Sequence, residues 1–379
     1  MMVISLEEGL SMLDVYVHSL DPVIFYLPSF GIPLLEGLAV RWYGLAYLLG
    51  FIISYFIIRY LSSQGRSPIA KHQVEDFVFI VAIGTMLGGR LGYVVFYSPH
   101  LFLEWGGGFP FWGPLKVHQG GMASHGGIIG ITLSCLFYAW WRKVSFLHNL
   151  DLVVVGGSLG VFFGRIANFI NGELYGRPAP EGLSWAVKFP QEMYSWLQDR
   201  SQILKLEALA PAAEKLERIQ LRSGQWLEVT QETWISWVRN SFRDGTSYQA
   251  VAQGVEQLIL AIQSGQAQIT ALVAPHLVAR YPSQLIQAVL EGLLVFVVLA
   301  LLWMRPRKPG VIAATFGVVY ALARIVGEQF RLPDAHIGFQ ALGLTRGQWL
   351  SMGMLLIALV MLWWVLRRQD QPLGGWRRA

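Results

Sequence analysis

The sequence is poor in cysteine and in charge. Its 379 residues include a single cysteine, Cys135, and charged residues make up only 14% of the chain. A lone cysteine excludes an intramolecular disulfide and a cysteine-based metal site. Soluble domains carry roughly 25% charged residues, so this chain has too few charges to cover the surface of a soluble protein of its length. With 54% hydrophobic residues, the composition indicates an integral membrane protein.

Several functional signatures are also missing. The sequence contains no phosphate-binding loop, serine-nucleophile motif or zinc-protease motif. His118 and His125 are close in sequence, but no third candidate metal ligand lies near them. The net charge of +5 comes from short basic runs beside apolar segments, which is how membrane topology is encoded. We therefore expect chemistry without a metal and no nucleic-acid partner.

The long apolar segments predict an all-α integral membrane protein with seven transmembrane helices. Each segment is close to the ~20 residues that a helix needs to cross a bilayer. The predicted spans are residues 38–60, 74–97, 120–141, 149–171, 284–304, 311–331 and 347–366.

Basic residues predict the orientation of these spans. They collect after the first, third and fifth spans and in the C-terminal tail, and lysine and arginine concentrate on the cytoplasmic side of membrane proteins. We therefore predict that the N-terminus lies outside the cytoplasm and the C-terminus inside it. The residues are Arg59, Arg66, Lys71, Arg142, Lys143, Arg305, Arg307, Lys308, Arg367, Arg368, Arg377 and Arg378.

The segments outside the spans predict two arms and a head. Residues 1–37 lack the basic start of a signal peptide and mix acidic with apolar residues, which predicts an outer amphipathic arm. Residues 98–118 are rich in Trp, Phe, Pro and Gly and predict a second outer arm. Residues 175–282 are polar, have helical periodicity and are too long for a plain loop, so we predict an extracytoplasmic helical head. The predicted domains are thus 1–37, 38–174 with spans one to four, the head at 175–282, 283–366 with spans five to seven, and a cytoplasmic tail at 367–379.

Glycines recur every four residues in two predicted spans. One set is Gly84, Gly88 and Gly92, and the other is Gly156, Gly160 and Gly164. Such spacing lets helices approach closely in lipid, and helix packing is the interpretation that we favour.

A polar cluster ends the fourth predicted span, although charged side chains at membrane depth are costly unless they are paired or hydrated. Arg165 and Asn168 are neighbours on a helix, and Glu173 follows near the outer surface. One interpretation is a buried Arg–Glu pair that only clamps helices. The other is an anion site, because the planar donors of arginine suit phosphate.

The sixth predicted span repeats this theme. Tyr320, Arg324 and Glu328 lie on one helical stripe. Arg165 and Arg324, from different spans, could converge on one phosphate. The alternative is again an ion pair that locks two helices together.

The third predicted span begins with His125, followed by Gly126 and Gly127. The glycines let a backbone or a lipid headgroup come near the imidazole, and histidine is a natural proton acceptor near neutral pH. The alternative is a purely structural histidine. Arg90 lies deep in the second span, where its side chain cannot easily reach the headgroups.

Seven motifs, in order, make the chain resemble the prolipoprotein diacylglyceryl transferase family. They cover about residues 40–350, apart from the head. The motifs are Arg-Trp-Tyr-Gly at 41–44, Gly-Gly-Arg-Leu-Gly-Tyr at 88–93, Gly-Gly-Met-Ala-Ser-His-Gly-Gly at 120–127, Gly-Arg-Ile-Ala-Asn-Phe-Ile-Asn-Gly-Glu at 164–173, Tyr-Pro-Ser-Gln at 281–284, Tyr-Ala-Leu-Ala-Arg-Ile-Val-Gly-Glu at 320–328 and Arg-Leu-Pro-Asp at 331–334.

This resemblance implies an enzyme of the bacterial inner membrane. Such an enzyme moves the diacylglyceryl group of phosphatidylglycerol onto the lipobox cysteine of a preprolipoprotein signal peptide, and glycerol phosphate leaves. The family works without a metal or soluble cofactor. We expect a monomer in contact with membrane lipids.

The resemblance also implies roles for single residues. His125, Tyr320 and Arg324 fall on catalytic positions, and Arg165 falls on the phosphatidylglycerol-binding arginine. Further lipid contacts are expected from Arg324, Asn168 and Tyr43. Supporting positions are Arg90, Tyr93, Gly126, Gly127, Glu173, Gly176 and Glu328.

The chain departs from the family pattern in three places. Tyr281 stands where the family usually has histidine, Ile286 and Gln287 replace a Tyr-Glu pair, and the segment after Pro190 is longer. These departures bear on how the outer entrance and the head handle the protein substrate. A membrane transporter, a headgroup transferase with a non-protein acceptor and an inactive scaffold remain as alternative functions.

Overall fold

The computed structural model describes residues 15–28, 39–106, 110–116, 120–221, 223–332 and 340–377. Most of these residues are helical, which agrees with the predicted helical membrane fold. The helices are α1 (Trp42–Ser63), α2 (Val74–Tyr97), α3 (Ser124–Arg142), α4 (Phe146–Asn171), α5 (Met193–Gln198), α6 (Ala210–Glu214), α7 (Gln231–Asn240), α8 (Gly245–Gln263), α9 (Ala267–Val273), α10 (Ser283–Gln287), α11 (Val295–Leu302), α12 (Val311–Gly327) and α13 (Arg346–Arg367). Short strands accompany them: β1 (Tyr16–Val17), β2 (Val23–Tyr26), β3 (Ala39–Arg41), β4 (Val187–Lys188), β5 (Arg218–Gln220), β6 (Trp226–Glu228) and β7 (Ala279–Arg280).

Helices lie at all seven segments that were predicted as spans. In the described part of the chain, five helices are long and apolar enough to cross a membrane: Trp42–Ser63, Lys71–Tyr97, Phe146–Asn171, Ser283–Leu302 and Arg346–Arg367. Helix α12 is apolar but has only 17 residues, and α3 falls outside the group of five. The predictions for His118, for Asp334 and for most of the arm over 1–37 lie outside the described residues.

The chain forms two compact units. The first contains the described parts of 1–22, 166–286 and 330–334. Its hydrophobic core surrounds Trp234, which is fully buried and whose indole N–H donates to the carbonyl of Leu206 at 2.7 Å. A small sheet joins distant parts of this unit, because β4 pairs in parallel with β1 and antiparallel with β7.

The second unit contains the described parts of 23–165, 287–329 and 335–379, and glycines set its helix packing. A Cβ atom at Gly88 would collide with the carbonyl oxygen of Gly126, so α2 and α3 meet backbone to backbone. Gly50 of α1 packs in the same way against Gly160 of α4. The packing interpretation of the repeated glycines is thus confirmed, except at Gly164, where an added Cβ atom would meet no other helix within 4 Å.

A second hydrophobic core lies among the helices of this unit. Phe77 packs edge-on against Tyr138, with ring centroids 4.8 Å apart, and both side chains are fully buried. Cys135 is a free thiol that is fully buried in the same core. At one end of the unit the C-terminal tail folds back: Leu373 pairs with Arg307, and the indole N–H of Trp376 donates to Ala300 at 2.8 Å.

The start of α12 is capped by a side chain from another helix. Gly310, at the cap position, has no side chain of its own and a φ of +92°. Asp151 of α4 accepts hydrogen bonds from the N–H groups of Gly310 at 2.7 Å and Ala313 at 2.8 Å. These bonds satisfy donors that a helix start leaves unpaired, and they tie α12 to α4.

Candidate functional site

Two arginines from different helices meet on one glutamate in the second unit. Glu291 accepts hydrogen bonds from Nε and Nη2 of Arg165, at 3.2 and 2.8 Å, through its Oε2 atom. Its Oε1 atom accepts from Nη1 of Arg324 at 3.0 Å. Helix α4 supplies Arg165, α12 supplies Arg324, and Glu291 comes from the helix between α10 and α11. Arg165 and Arg324 therefore converge on a carboxylate, and their convergence on a phosphate stays a prediction.

The three side chains differ in accessibility. The Glu291 side chain is 0% exposed, whereas the side chains of Arg165 and Arg324 are 14% and 15% exposed. The carboxylate thus lies behind the two guanidinium groups, and parts of both arginines stay accessible. Guanidinium donors held in this way suit a phosphate or another oxyanion.

Glu328 and Tyr320 complete this cluster along α12. Glu328 lies one turn after Arg324, with 3.4 Å between its Oε2 and Nη2 of the arginine. The Oε1 atom of Glu328 accepts from the hydroxyl of Thr345, the cap residue of α13, at 3.1 Å. Tyr320 lies one turn before Arg324, and its ring stacks on that of Phe316 with centroids 5.4 Å apart. Glu328 thus lies beside Arg324, and its role in holding that arginine stays a prediction.

A π-helical turn carries Glu291 to the arginines. The turn spans Ala288–Leu294, between α10 and α11. A Cβ atom at Gly292 would lie 2.5 Å from Cα of Phe162, so this turn contacts the backbone of α4 about one turn before Arg165. Turns of this kind are rare and occur frequently at functional sites.

The sequence interpretation did not identify Glu291. A signal for it was present, because Glu291 is the only charged residue within the apolar segment 284–304. An ionisable residue inside such a segment indicates a functional site by default.

Arg90 has a different kind of environment. It is buried, and its guanidinium donates to the carbonyl oxygens of Gly113 at 2.9 Å, Pro114 at 2.7 Å, and Gly120 and Gly121. These bonds tie α2 to the segment that leads into α3. Arg90 therefore organises the backbone ahead of His125.

His125 and its glycines lie on the seam between α2 and α3. The imidazole is exposed in the first turn of α3, while Gly126 and Gly127 are buried. Gly126 packs against the backbone of Gly88 and Gly92. Within the described residues, no hydrogen bond joins His125 to Arg165, Tyr320 or Arg324.

Aromatic rings surround two other predicted positions. Tyr93 stacks on Tyr97 with ring centroids 5.9 Å apart, and the Arg90 guanidinium lies 5.6 Å from the centre of the Tyr93 ring. Tyr43, in the first turn of α1, stacks on Tyr47 at 5.9 Å.

The first unit holds the remaining predicted residues. Asn168 donates to Glu173 at 2.7 Å, so the carboxylate of Glu173 has an amide partner, and Glu291 holds Arg165 instead. Gln284 donates to the Glu173 carbonyl at 2.6 Å. The N–H of Gly176 donates to the carbonyl of Tyr281 at 3.1 Å, and a Cβ atom at Gly176 would collide with that same oxygen.

Comparison with known proteins identifies the family. The family model for prolipoprotein diacylglyceryl transferase matches residues 32–364. The chain belongs to the prolipoprotein diacylglyceryl transferase family. It is similar to proteins named phosphatidylglycerol–prolipoprotein diacylglyceryl transferase from three bacteria. It is 47% identical to the one from Bdellovibrio bacteriovorus, over 96% of this chain and 97% of that one. It is 34% identical to the one from Rhodospirillum rubrum, over 94% and 95% of the two chains. It is 36% identical to the one from Burkholderia cenocepacia, over 92% and 96%.

The departures from the family pattern have clear positions. The Tyr281 ring packs against Trp185 and Phe330, with centroids 5.6 and 5.4 Å away. Gln287 is fully buried in the second unit, and neither polar atom of its amide has a hydrogen-bond partner among the described residues. Its Cγ would lie 3.2 Å from a Cβ atom at Gly327, so this amide borders α12 between Arg324 and Glu328.

No group of three His, Cys, Asp or Glu side chains in the described ranges is arranged to hold a metal ion.

Proposed function

We propose that this protein transfers the diacylglyceryl group of phosphatidylglycerol to the lipobox cysteine of a preprolipoprotein signal peptide. The observation that carries the proposal is the pair of partly accessible arginines, Arg165 and Arg324, on one buried glutamate. The relatives bear a name that states both substrates, phosphatidylglycerol and a prolipoprotein. Phosphatidylglycerol, with its charged phosphate, and the apolar signal peptide would both reach the protein within the plane of the membrane.

The reaction makes one bond and breaks one. The sulfur of the acceptor cysteine attacks the carbon of the diacylglyceryl group that is bonded to the phosphate oxygen, and a thioether C–S bond forms. The C–O bond to the phosphate breaks, and glycerol phosphate leaves with the electron pair. The thiol must lose its proton, because the thiolate is the nucleophile. The sulfur must also lie in line with the carbon, which binding of both substrates provides.

The arginines suit the leaving group. Negative charge grows on the phosphate oxygens as the C–O bond breaks, and positioned cationic donors stabilise that charge. In this proposal Arg165 binds the lipid phosphate and Arg324 stabilises its departure. Tyr320, Asn168 and Tyr43 orient the headgroup.

We assign proton removal to His125. Imidazole is an effective proton acceptor near neutral pH, whereas arginine stays protonated in proteins. The exposed position of His125 in the first turn of α3 leaves its ring accessible to a thiol. The other role that we consider for His125 is to orient Tyr320 or the phosphate.

The supporting residues shape the two groups of the site. Gly126 and Gly127 keep α3 close to α2. Arg90 and Tyr93 hold the backbone segment that leads into α3. Glu328 steadies Arg324. Glu173 and Gly176 organise the loop after α4.

The proposed topology has seven spans in the bacterial inner membrane, with a periplasmic N-terminus and a cytoplasmic C-terminus. Helices α3 and α12 then cross the membrane together with the five longer helices. Residues 1–37 and 98–118 form outer arms, 175–282 form the periplasmic head, and 367–379 form the cytoplasmic tail. The exposed rings of Trp105 and Phe111 suit the lipid headgroup region. We propose that the protein acts as a monomer.

A transfer assay with purified protein tests this function. Phosphatidylglycerol liposomes and a fluorescent lipobox peptide are combined, and the peptide mass is measured. We expect a gain of one diacylglyceryl group, which a Cys→Ser peptide and phosphatidylethanolamine liposomes do not give. Transfer to a non-protein acceptor, or no transfer by folded protein, would contradict the proposal. Arg324→Ala should lower the rate by about 10²–10³, and a variant with normal rates would remove Arg324 from the scheme.

A further inference from the structure

We propose that Glu291 is a positioning residue. It holds Arg165 and Arg324 in the orientation that turnover requires, and it weakens the binding of the lipid. This inference rests on the proposed function and adds a residue that the family motifs in the sequence did not reveal. It makes Glu291 a fixed counter-charge behind the phosphate site.

The geometry supports one carboxylate that serves two cations. Oε2 of Glu291 accepts from Arg165 at 2.8 Å and Oε1 accepts from Arg324 at 3.0 Å, with a longer bond of 3.4 Å from Arg324 to Oε2. Two guanidinium groups so close together repel each other unless a negative charge lies between them. Glu291 therefore sets the spacing of the arginines before any lipid arrives.

The carboxylate cannot move aside easily. Its side chain is 0% exposed, and the adjacent Gly292 contacts the backbone of α4 at Phe162. A fixed carboxylate keeps the arginines oriented when the lipid phosphate binds and when it leaves. Orientation that exists before the reaction does not have to be created in the transition state.

The charges of the cluster predict weaker binding of the lipid phosphate. Arg165 and Arg324 carry two positive charges, and Glu291 and Glu328 carry two negative charges. A phosphate thus enters a cluster that is already neutralised, and the carboxylate competes with it for the arginine donors. Glu291→Gln would leave one net positive charge, so the ground-state lipid should bind more tightly while the arginines lose their common anchor.

A purely structural clamp predicts a different pattern. Loss of such a clamp would weaken stability and would weaken or leave unchanged the binding of lipid. Opposite changes in lipid affinity and turnover are therefore the signature of a positioning carboxylate.

The experiment compares wild type, Glu291→Gln and Glu291→Asp in detergent micelles. Fluorescent phosphatidylglycerol is titrated for Kd, with phosphatidylcholine as the zwitterionic lipid control, and kcat is measured with the lipobox peptide. For Glu291→Gln we expect a Kd about tenfold lower and a kcat about a hundredfold lower. For Glu291→Asp the charge remains but the shorter side chain reaches one arginine, so we expect reduced kcat with unchanged Kd.

Glu192→Gln is the matched control. Glu192 is also 0% exposed and ion-paired with an arginine, Arg280, at 2.8 Å, but it belongs to the first unit. Its amide variant should leave the Kd for phosphatidylglycerol unchanged.

Two outcomes would overturn the inference: normal turnover of Glu291→Gln, or lost turnover with lipid binding that is weaker or unchanged. Thermal unfolding of each variant confirms that it is folded, and if Glu291→Gln does not fold, a Glu291→Asp variant with both parameters normal overturns the proposal. The lipid titration involves no acceptor peptide. Wild-type protein that binds lipid without transfer therefore refutes the proposed function, while the Kd comparison still tests Glu291.

Discussion

Two arginines of the second unit show how partners decide what a charged side chain does. Arg90 donates hydrogen bonds to four backbone carbonyls, so it holds the segment that leads into α3 in place. Arg165 has one carboxylate partner and remains partly accessible. A guanidinium surrounded by carbonyl oxygens is a structural tie, and one backed by a carboxylate with an accessible edge can bind an anion.

His125 tests the assignment of the proton acceptor. Glutamine has nearly the size of histidine and keeps hydrogen-bonding atoms, but it cannot act as a base. We expect His125→Gln to lower the transfer rate by about 10²–10⁴, measured from initial rates with the lipobox peptide. His100→Gln, an exposed histidine in the predicted arm, is the control and should keep the wild-type rate. Substantial activity of His125→Gln would refute the role of base.

His18 should make the first unit sensitive to acid. Its ring lies between Phe169 and Phe189, at 5.3 Å from each, and burial lowers its pKa to about 4, against a smaller opposing effect of a hydrogen bond with the Phe169 backbone. The folded protein thus keeps His18 neutral, whereas the unfolded chain takes up a proton below about pH 6.5. The stabilisation is complete above that pH and is lost as the pH falls towards 4. Between pH 6.5 and 5 we expect a loss of about 2 kcal/mol.

Thermal unfolding at pH 7.5 and pH 5 measures this effect. The wild type should lose more stability than His18→Gln, which has no group to protonate at this position. Equal losses in the two proteins would show that His18 does not carry the acid sensitivity.

Helix α12 is the element that carries Tyr320 and Arg324, and it is held at both ends. Asp151 caps its start, and Glu328 just after its end bonds to Thr345 of α13. The direction of this helix, and so the position of Arg324 against Glu291, depends on these two attachments.

Removal of the cap should therefore affect both stability and turnover. We expect Asp151→Ala to destabilise the protein by about 1–2 kcal/mol and to lower the transfer rate, because α12 loses its tie to α4. Asp244→Ala removes the cap of α8, where Asp244 accepts from Thr246 and Ser247. That control should lose similar stability without loss of transfer by the folded protein. Unchanged turnover of Asp151→Ala would separate the cap from the site.

The helices were predictable from the sequence, whereas the short strands and the π turn were not. A run of about 20 apolar residues predicts a membrane helix without any further information. The pairing of β1 with β4 and of β4 with β7 joins strands of two residues from distant segments, which leave no local pattern. The turn at Ala288–Leu294 depends on the contact of Gly292 with Phe162, which only the folded chain reveals.

At the scale of the whole molecule, the compact units do not follow the order of the chain. The first unit combines parts of 1–22, 166–286 and 330–334. Tyr320, Arg324 and Glu328 were predicted together because they share one helical stripe, and Arg165 was joined to them because two membrane arginines could bind one phosphate. They did not predict the partner of Arg165, since a side chain from a third helix supplies it.

The proposed orientation can be tested by labelling introduced cysteines. Ser201 in the predicted head and Gln371 in the tail are both exposed. On intact spheroplasts, a membrane-impermeant maleimide should label S201C at once and Q371C only after permeabilisation. The reverse pattern would invert the topology. The wild type is the control and should stay unlabelled, because its only cysteine is buried.

The burial of Cys135 also bears on self-modification. An enzyme that alkylates thiols with lipid would be its own substrate if it displayed one. The single thiol of this chain is enclosed among the helices, and Asn149 donates to its backbone carbonyl at 3.2 Å. The chain therefore offers no accessible thiol of its own to compete with the cysteine of the incoming protein.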